Sequence, residues 1–327
     1  MELPRAGPHS TCVLPDGAVL AYEVLGATHL GHGALPLVLV GGMASTREDW
    51  IRLSMVWAES RPVLVYDHRG MGDSTCSVPD EVDEFTMETL ARDLAFLIGH
   101  LGWKDVAILG FSMGGVVVQQ LLALAYHPTE PMHLPFRPTH VILASTRSEV
   151  LSDPRYGLPV PAPGDATQQP LSYVEKYERV RRTAEATVDP SWLATLGPIY
   201  MDFIVQRVLS GSKRPLPTLS RQKQALQSFD FAALLGNLPK ELPVLVLHGE
   251  ADQIIPFECS QVMLQRIPGA RFIEIGPEPG QLPTLQFGHN FTLYFPAKIW
   301  GDVVNKFLGS YERVEEPVSA VPPENPS

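Results

Sequence analysis

Six short, mostly apolar runs of four residues recur along the chain, separated by loops and by helical patterns. They lie at residues 37–40, 63–66, 106–109, 141–144, 244–247 and 272–275. Apolar runs without polar alternation are typical of strands that are buried on both faces of a sheet. Residues 86–101 show the helical pattern most clearly, because leucine and isoleucine recur there every three or four positions. This alternation predicts a parallel sheet that is covered by helices on both faces.

The N-terminal part of the chain predicts an antiparallel start to the sheet. Residues 10–14 and 19–25 flank Pro15-Asp16-Gly17, where proline presets the turn and glycine is free to adopt a positive φ. This pattern is typical of a β-hairpin. Together with the six runs, the hairpin predicts a mostly parallel sheet of eight strands in an α/β fold.

One internal segment breaks the alternation of strands and helices. Residues 147–237 begin with a proline-rich stretch and continue with helical patterns instead of another strand. We therefore predict a helical lid at residues 147–237, inserted after the sixth strand into an α/β core of residues 1–146 and 238–311. Residues 312–327 are rich in Glu, Pro, Ser and Val without periodicity, which predicts a disordered tail.

A G-x-S-x-G segment, Gly110-Phe111-Ser112-Met113-Gly114, follows the fifth predicted strand directly and precedes an apolar helix. A serine on such a sharp strand-to-helix turn exposes its hydroxyl, and the small glycines let neighbouring backbone approach closely. The helix N-terminus beside it favours developing negative charge. In this position the motif predicts a nucleophile, whereas elsewhere it would be an ordinary glycine-rich turn.

With this motif the chain resembles the α/β-hydrolase superfamily, over nearly everything from residue 10 to residue 308. Residues 67–74 (DHRGMGDS) are similar to the family's D-x-R-G-x-G-x-S turn after the fourth strand, a structural element. Residues 247–256 are similar to its loop after the seventh strand, and Gly288-His289-Asn290 lies where the family places a histidine. The resemblance implies the α/β-hydrolase fold, with helices flanking the sheet.

The resemblance also assigns three catalytic residues, Ser112, Asp252 and His289, which occur in the order expected for this fold. A serine hydroxyl is too weak an acid to attack unaided, so the imidazole of His289 would accept its proton. Asp252 would orient that imidazole and stabilise its charged form. Glu250, two residues closer to the end of the strand, is the alternative acid.

An oxyanion hole is implied by the same resemblance, formed by the backbone amides of Met43 and Met113. Many family members carry histidine and glycine before the first of these positions, but this chain reads Gly41-Gly42-Met43. The departure leaves open how the loop is supported.

Three aromatic residues, Trp50, Phe111 and Phe203, are predicted to line the substrate site, with plain core packing as the alternative. Phe203 belongs to the lid, where Met201 and Val205 help to mark one apolar face. That face would either pack on the main sheet or roof the serine.

Charge and cysteine content exclude several classes of partner. The chain has 36 acidic and 25 basic residues, a formal charge of −11, with the acidic residues scattered along it. Nucleic acid is not a predicted partner, because no basic surface is indicated for the phosphate backbone. The three cysteines are far apart in sequence and odd in number, which argues against a disulfide framework and a CxxC metal site, and no metal or organic cofactor is implied.

A charge-free stretch at residues 106–126 is long enough to cross a membrane. Glycines around Ser112 and the pair Gln119-Gln120 interrupt it, so we predict a buried strand, turn and helix instead, without stable membrane insertion. The N-terminus lacks the basic end and apolar run of a signal peptide, which predicts a cytoplasmic location.

These features predict a serine hydrolase that cleaves an ester, thioester or related acyl bond of a small, apolar substrate through an acyl-enzyme. Two alternatives remain open. The same triad could serve a carbon–carbon bond hydrolase or an acyltransferase, or the chain could be a ligand-binding receptor or scaffold with little turnover. A small-molecule substrate is the predicted partner, and the sequence leaves the oligomeric state open.

Overall fold

The computed structural model describes residues 9–77, 85–159, 171–211 and 213–309. The tail predicted at residues 312–327 lies outside these described residues, as does the stretch at 160–170 within the predicted lid. Statements about the fold and the site below concern the described residues.

Eight strands form one sheet in the described part of the chain. They are β1 (Ser10–Val13), β2 (Val19–Leu25), β3 (Leu37–Val40), β4 (Val63–Tyr66), β5 (Asp105–Phe111), β6 (Arg137–Ala144), β7 (Val244–Leu247) and β8 (Ala270–Phe272). The order across the sheet is β1-β2-β4-β3-β5-β6-β7-β8. The pairs β1/β2 and β2/β4 are antiparallel, and the others are parallel. The predicted hairpin and the mostly parallel eight-stranded sheet are confirmed.

Some of the described helices cover the two faces of this sheet, and four others follow one another in the chain between β6 and β7. They are α1 (Ile51–Ala58), α2 (Met87–His100), α3 (Met113–Ala123), α4 (Tyr173–Ala186), α5 (Pro190–Thr195), α6 (Gly197–Ser210), α7 (Leu216–Ala225), α8 (Glu258–Arg266) and α9 (Ala297–Leu308). Among the described helices, none combines the length and the apolar composition that crossing a membrane requires. The charge-free stretch at 106–126 divides into β5, a turn and α3.

The strand β3 shows why the short apolar runs form a doubly covered sheet. All four of its residues are buried, and successive side chains point to opposite faces. Val38 and Val40 belong to the apolar cluster formed with α2 and α3. Leu37 and Leu39 belong to the cluster formed with α1 and α9. Burial on both faces therefore accounts for the missing polar alternation.

The last strand differs from the prediction, because β8 covers Ala270–Phe272 instead of residues 272–275. Its neighbour β7 ends at Leu247, and only the amide of Ile273 continues the pairing by donating to Val246 O at 2.9 Å. Ile275 instead forms an isolated bridge with Leu282. The chain leaves the sheet where its partner strand ends.

Four helices, α4 to α7, occupy the segment between β6 and β7. Asp189 caps α5, since its side chain accepts hydrogen bonds from the amides of Ser191 and Trp192. Met201 and Val205 of α6 are buried in a small cluster with Trp192. We refer to α4 to α7 as the inserted helices. Part of the apolar face that was recognised in the sequence thus packs among these helices.

Candidate active site

Ser112 lies on the turn between β5 and α3, with φ 55° and ψ −121°. A positive φ is uncommon for any residue other than glycine, so the surrounding structure holds this turn in a strained conformation. A Cβ atom on Gly114 would collide with the carbonyl oxygen of Val40, and one on Gly110 would lie 2.7 Å from the carbonyl oxygen of Gly114. The glycines of the motif are therefore required by close backbone contact.

Three side chains at the carboxyl edge of the parallel strands form a hydrogen-bonded chain. The Nδ1 atom of His289 lies 2.8 Å from Asp252 Oδ2, and its Nε2 atom lies 2.9 Å from Ser112 Oγ. If Nδ1–H donates to the carboxylate, Nε2 is left to accept the hydrogen bond from the serine hydroxyl. All three residues are buried. The structure thus brings Ser112, His289 and Asp252 together in the geometry of a nucleophile, a base and an orienting acid.

Asp252 is held by four donors. Its Oδ1 atom accepts from the amides of Ile254 and Ile255, at 2.8 and 2.9 Å. Burial alone would raise the pKa of Asp252, but the charge of His289 and hydrogen bonds from His248 and His289 outweigh burial and hold this pKa well below its usual range. The carboxylate is therefore ionised and fixed in orientation.

His248 is a contact of Asp252 that the sequence reasoning missed. It is fully buried, and its Nε2 atom lies 3.1 Å from Asp252 Oδ2 and 3.0 Å from the carbonyl oxygen of Ile255. Its Nδ1 atom is buried without a hydrogen-bond partner among the described residues, which places the proton on Nε2. Its position four residues before Asp252, in the same loop, was the available signal.

Glu250, the alternative acid, points away from this chain of hydrogen bonds. Its side chain is exposed and accepts a hydrogen bond from the side-chain amide of Gln286. The geometry therefore favours Asp252 over Glu250 as the partner of His289.

The loop after β3 lies directly against the serine. A Cβ atom built on Gly42 would lie 3.0 Å from Ser112 Cβ. Met43 follows in this loop, and Met113 is the first residue of α3, so its amide has no acceptor within the helix. Both methionines line the cavity that contains Ser112. The two residues whose amides were assigned from the sequence thus border the same cavity as the hydroxyl.

His68 forms a hydrogen bond with the loop that carries Gly41 and Met43. Its ring is buried, and its Nε2 atom lies 3.0 Å from the carbonyl oxygen of Gly41. Burial lowers the pKa of His68 to about 4. The neutral ring therefore donates its Nε2–H to Gly41, and its Nδ1 atom lies 3.3 Å from the hydroxyl of Tyr66. Sequence reasoning had assigned His68 only a place in a structural turn.

A cavity of about 1250 Å³ opens on Ser112 and His289. Trp50, Phe111 and Phe203 all line it. Trp50 is buried, while Phe203 projects from α6 with 45% of its surface exposed. The ring of Phe111 lies 5.2 Å from the ring of His289 between centroids. The three predicted aromatic residues therefore share one cavity with the serine.

Across the described ranges, histidine, cysteine, aspartate and glutamate form no group of three or more that could hold a metal ion.

A serine on a strand-to-helix turn, hydrogen-bonded through histidine to aspartate at the carboxyl edge of this sheet, is typical of a hydrolase of the α/β class. The chain belongs to the alpha/beta hydrolase family, whose family model matches residues 37–287. Membership of this family makes the protein a hydrolase, as predicted.

Individual relatives are distant but cover most of the chain. A putative carbamate hydrolase, RutD, from Pseudomonas savastanoi is 24% identical over 74% of this chain and 85% of its own length. The bifunctional esterase/perhydrolase DCH from Acinetobacter calcoaceticus is 25% identical over 75% of this chain and 84% of its own length. The crystal structure of a hydrolase from Pseudomonas aeruginosa superimposes with a TM-score of 0.64 at 23% identity, covering 94% of this chain and all of that one.

Proposed function

We propose that the protein is a serine hydrolase that cleaves an ester, thioester or related acyl bond of a small substrate through an acyl-enzyme. The observation that carries this proposal is the hydrogen-bonded chain from Asp252 through His289 to Ser112, which opens on the cavity. The names of the two relatives, an esterase/perhydrolase and a putative carbamate hydrolase, support attack on an acyl carbon.

In the proposed reaction Ser112 Oγ attacks the acyl carbon while His289 Nε2 accepts its proton. Asp252 stabilises the imidazolium that forms. The amides of Met43 and Met113 donate to the negatively charged oxygen of the tetrahedral intermediate. His289 then protonates the leaving group, and a water molecule activated by the same imidazole releases the acyl group from Ser112.

Turnover separates this function from the alternatives that the sequence left open. A serine hydrolase should release p-nitrophenol from activated esters in repeated cycles, with an initial burst when deacylation is slow. Saturable binding of the ester without turnover would indicate a receptor or scaffold. Acyl transfer to an added alcohol in preference to water would indicate an acyltransferase. A cytoplasmic location stays a prediction from the sequence.

Loss of the His68 donor is expected to lower kcat more than it raises KM, because the Met43 amide acts mainly on the transition state. The His68→Phe variant keeps an aromatic ring but cannot donate to Gly41, and we expect kcat to fall about tenfold. His68→Gln, whose amide can donate, is the matched comparison and should retain more activity. Equal kcat values for the native protein and the Phe variant would show that this hydrogen bond does not support catalysis.

The cavity wall beside the serine predicts a preference for longer acyl chains. Each added methylene that is buried against Trp50, Phe111 or Phe203 should raise kcat/KM by up to about fourfold, since burial of a CH₂ group is worth about 0.8 kcal/mol. The measurement is a series of p-nitrophenyl esters from acetate to octanoate. Phe203→Ala should flatten the profile, whereas Val174→Ala, an exposed apolar residue of the inserted helices outside the cavity, should leave it unchanged. Identical profiles in both variants would exclude Phe203 from the substrate site.

A further inference from the structure

The charge of the cavity is opposite to that of the chain. Among the described residues that line it, seven are lysine or arginine and one, Asp49, is acidic. The whole chain carries 36 acidic against 25 basic residues. Asp49 is already paired with Arg214, at 2.8 Å. The remaining cations of the cavity wall therefore give it a net positive charge.

Arg147 is the most deeply buried of these cations, with 6% of its surface exposed. It lies one residue beyond Thr146, whose hydroxyl donates to the carbonyl oxygen of Ser112 at 2.6 Å, so it is close in the chain to the nucleophile turn. Its guanidinium donates to the carbonyl oxygens of Glu149 and Leu226, both at 2.8 Å. No carboxylate of the described residues lies within ion-pair distance of it. Burial lowers the pKa of Arg147 to about 10.

Two further arginines reach the cavity from different elements in the same way. Arg207 of α6 donates to the carbonyl oxygen of Glu48 at 2.6 Å. Arg52 of α1 donates to the carbonyl oxygens of Thr292 and Phe295. Arg52 is exposed and Arg207 is partly buried, and neither forms an ion pair with a carboxylate of the described residues. Carbonyl oxygens orient a guanidinium group without supplying a negative charge, and among the described residues Arg147 has in addition only the ring of Phe229, whose centroid lies 5.2 Å from its Cζ atom.

Arg147 is removed from water without a negatively charged partner, which is costly, and proteins usually pair such groups. Guanidinium groups bind carboxylates and phosphates with parallel hydrogen bonds, so an anion on the bound substrate would supply the missing partner. The cavity has room for both parts of such a molecule. Its apolar aromatic wall lies near Ser112, and its cations come from α1, α6 and the loop after β6.

We propose that the substrate of Ser112 carries an anionic group, a carboxylate or a phosphate, remote from the bond that is cleaved, and that Arg207, together with the other cations of the cavity wall, attracts and binds it. The inference rests on the proposed function and narrows its substrate class. The substrate is then an amphipathic acid ester whose apolar part lies against Trp50 and Phe111 and whose charged end faces the cationic part of the cavity wall.

The test compares activated esters that differ in charge but not in chain length. p-Nitrophenyl hexanoate is neutral, whereas the mono-p-nitrophenyl ester of adipic acid has the same number of acyl carbons and a terminal carboxylate. The hexanoate ester of 4-hydroxy-3-nitrobenzoic acid places the carboxylate on the alcohol side instead. We expect kcat/KM for one of the two charged esters to exceed that of the neutral ester by about tenfold or more, as for a charge-assisted hydrogen bond.

Two controls link this preference to the cavity. Arg207→Gln should reduce the ratio of charged to neutral kcat/KM about tenfold, while Arg181→Gln, an exposed arginine of α4 outside the cavity, should leave the ratio unchanged. In the native protein, added salt should also reduce the ratio, because screening weakens the attraction of partly exposed charges. The salt measurement needs no variant and so does not depend on whether Arg207→Gln folds.

The outcomes separate this inference from the function on which it rests. Turnover of the neutral ester at least as fast as both charged esters would overturn the anionic substrate and leave the serine hydrolase standing. A preference that persists in Arg207→Gln and at high salt would overturn the role of these arginines. Failure to turn over any of the three esters would overturn the proposed function, and the inference with it.

Discussion

Replacing Ser112 by alanine is expected to lower the turnover of p-nitrophenyl esters by about 10⁴-fold or more, because the change removes the hydroxyl that is hydrogen-bonded to His289 beside the cavity. The turn should survive the change. Alanine lacks only the hydroxyl oxygen, and the strained backbone is held by the glycine contacts with Val40 and by the hydrogen bond from Thr146. The hydrogen bond between His289 and Asp252 does not involve the serine.

Thermal unfolding of the Ser112→Ala variant provides the control for this prediction. A melting temperature close to that of the native protein, together with lost turnover, would assign the loss to chemistry. A folded variant that retained native turnover would mean that another residue is the nucleophile.

Replacing Asp252 by asparagine is expected to lower kcat by about 10⁴-fold, because an amide cannot stabilise the imidazolium form of His289 and favours the wrong tautomer. The effect should exceed the loss of one neutral hydrogen bond, since the carboxylate is ionised and accepts from His289, His248 and two amides. Steady-state kinetics with one activated ester measure the change directly.

Glu250→Gln is the matched control for the acid. It makes the same chemical change two residues away, on an exposed side chain that contacts Gln286 instead of His289. Its kcat should stay within about twofold of the native value, as for a surface substitution. A larger loss in Glu250→Gln than in Asp252→Asn would reassign the acid to Glu250.

The strands and the nucleophile turn could be predicted from the sequence because local pattern determines them. The residues of β3 are all apolar because both faces of this strand are covered, and Ser112 lies in a G-x-S-x-G motif that can be recognised in the sequence, although Gly114 is required by its contact with the distant Val40. The end of β8 could not be predicted in this way, since it depends on where β7 stops. Pairing partners far apart in sequence decided that boundary.

The supporting residues of the site depend in the same way on contacts between distant segments. His68 follows β4, yet its acceptor is the carbonyl oxygen of Gly41 at the end of β3. The positive charge of the cavity was likewise hidden, because Arg147 and Arg207 come from segments far apart in a chain with excess acid. The amino-acid composition describes the whole chain, so it does not show which charged residues line one cavity.

The inserted helices illustrate the limit of amphipathic patterns. Helical character and the Asp189 cap follow from the sequence. However, Met201 and Val205 of the recognised apolar face are buried against Trp192, while the neighbouring Phe203 is exposed toward the cavity. Periodicity identifies an apolar face but does not say which element covers it.

Covalent labelling by a fluorophosphonate tests the role of Ser112 most directly, because only a serine with an aligned base and oxyanion donors reacts readily with this electrophile. The protein is treated with the reagent, digested, and the modified peptide is mapped by mass spectrometry. We expect a single phosphonylated residue, Ser112, with labelling lost in Ser112→Ala and strongly slowed in His289→Ala. A stable adduct mapped to any other residue, or a native protein that reacts no faster than Ser112→Ala, would contradict the assignment of Ser112 as the nucleophile.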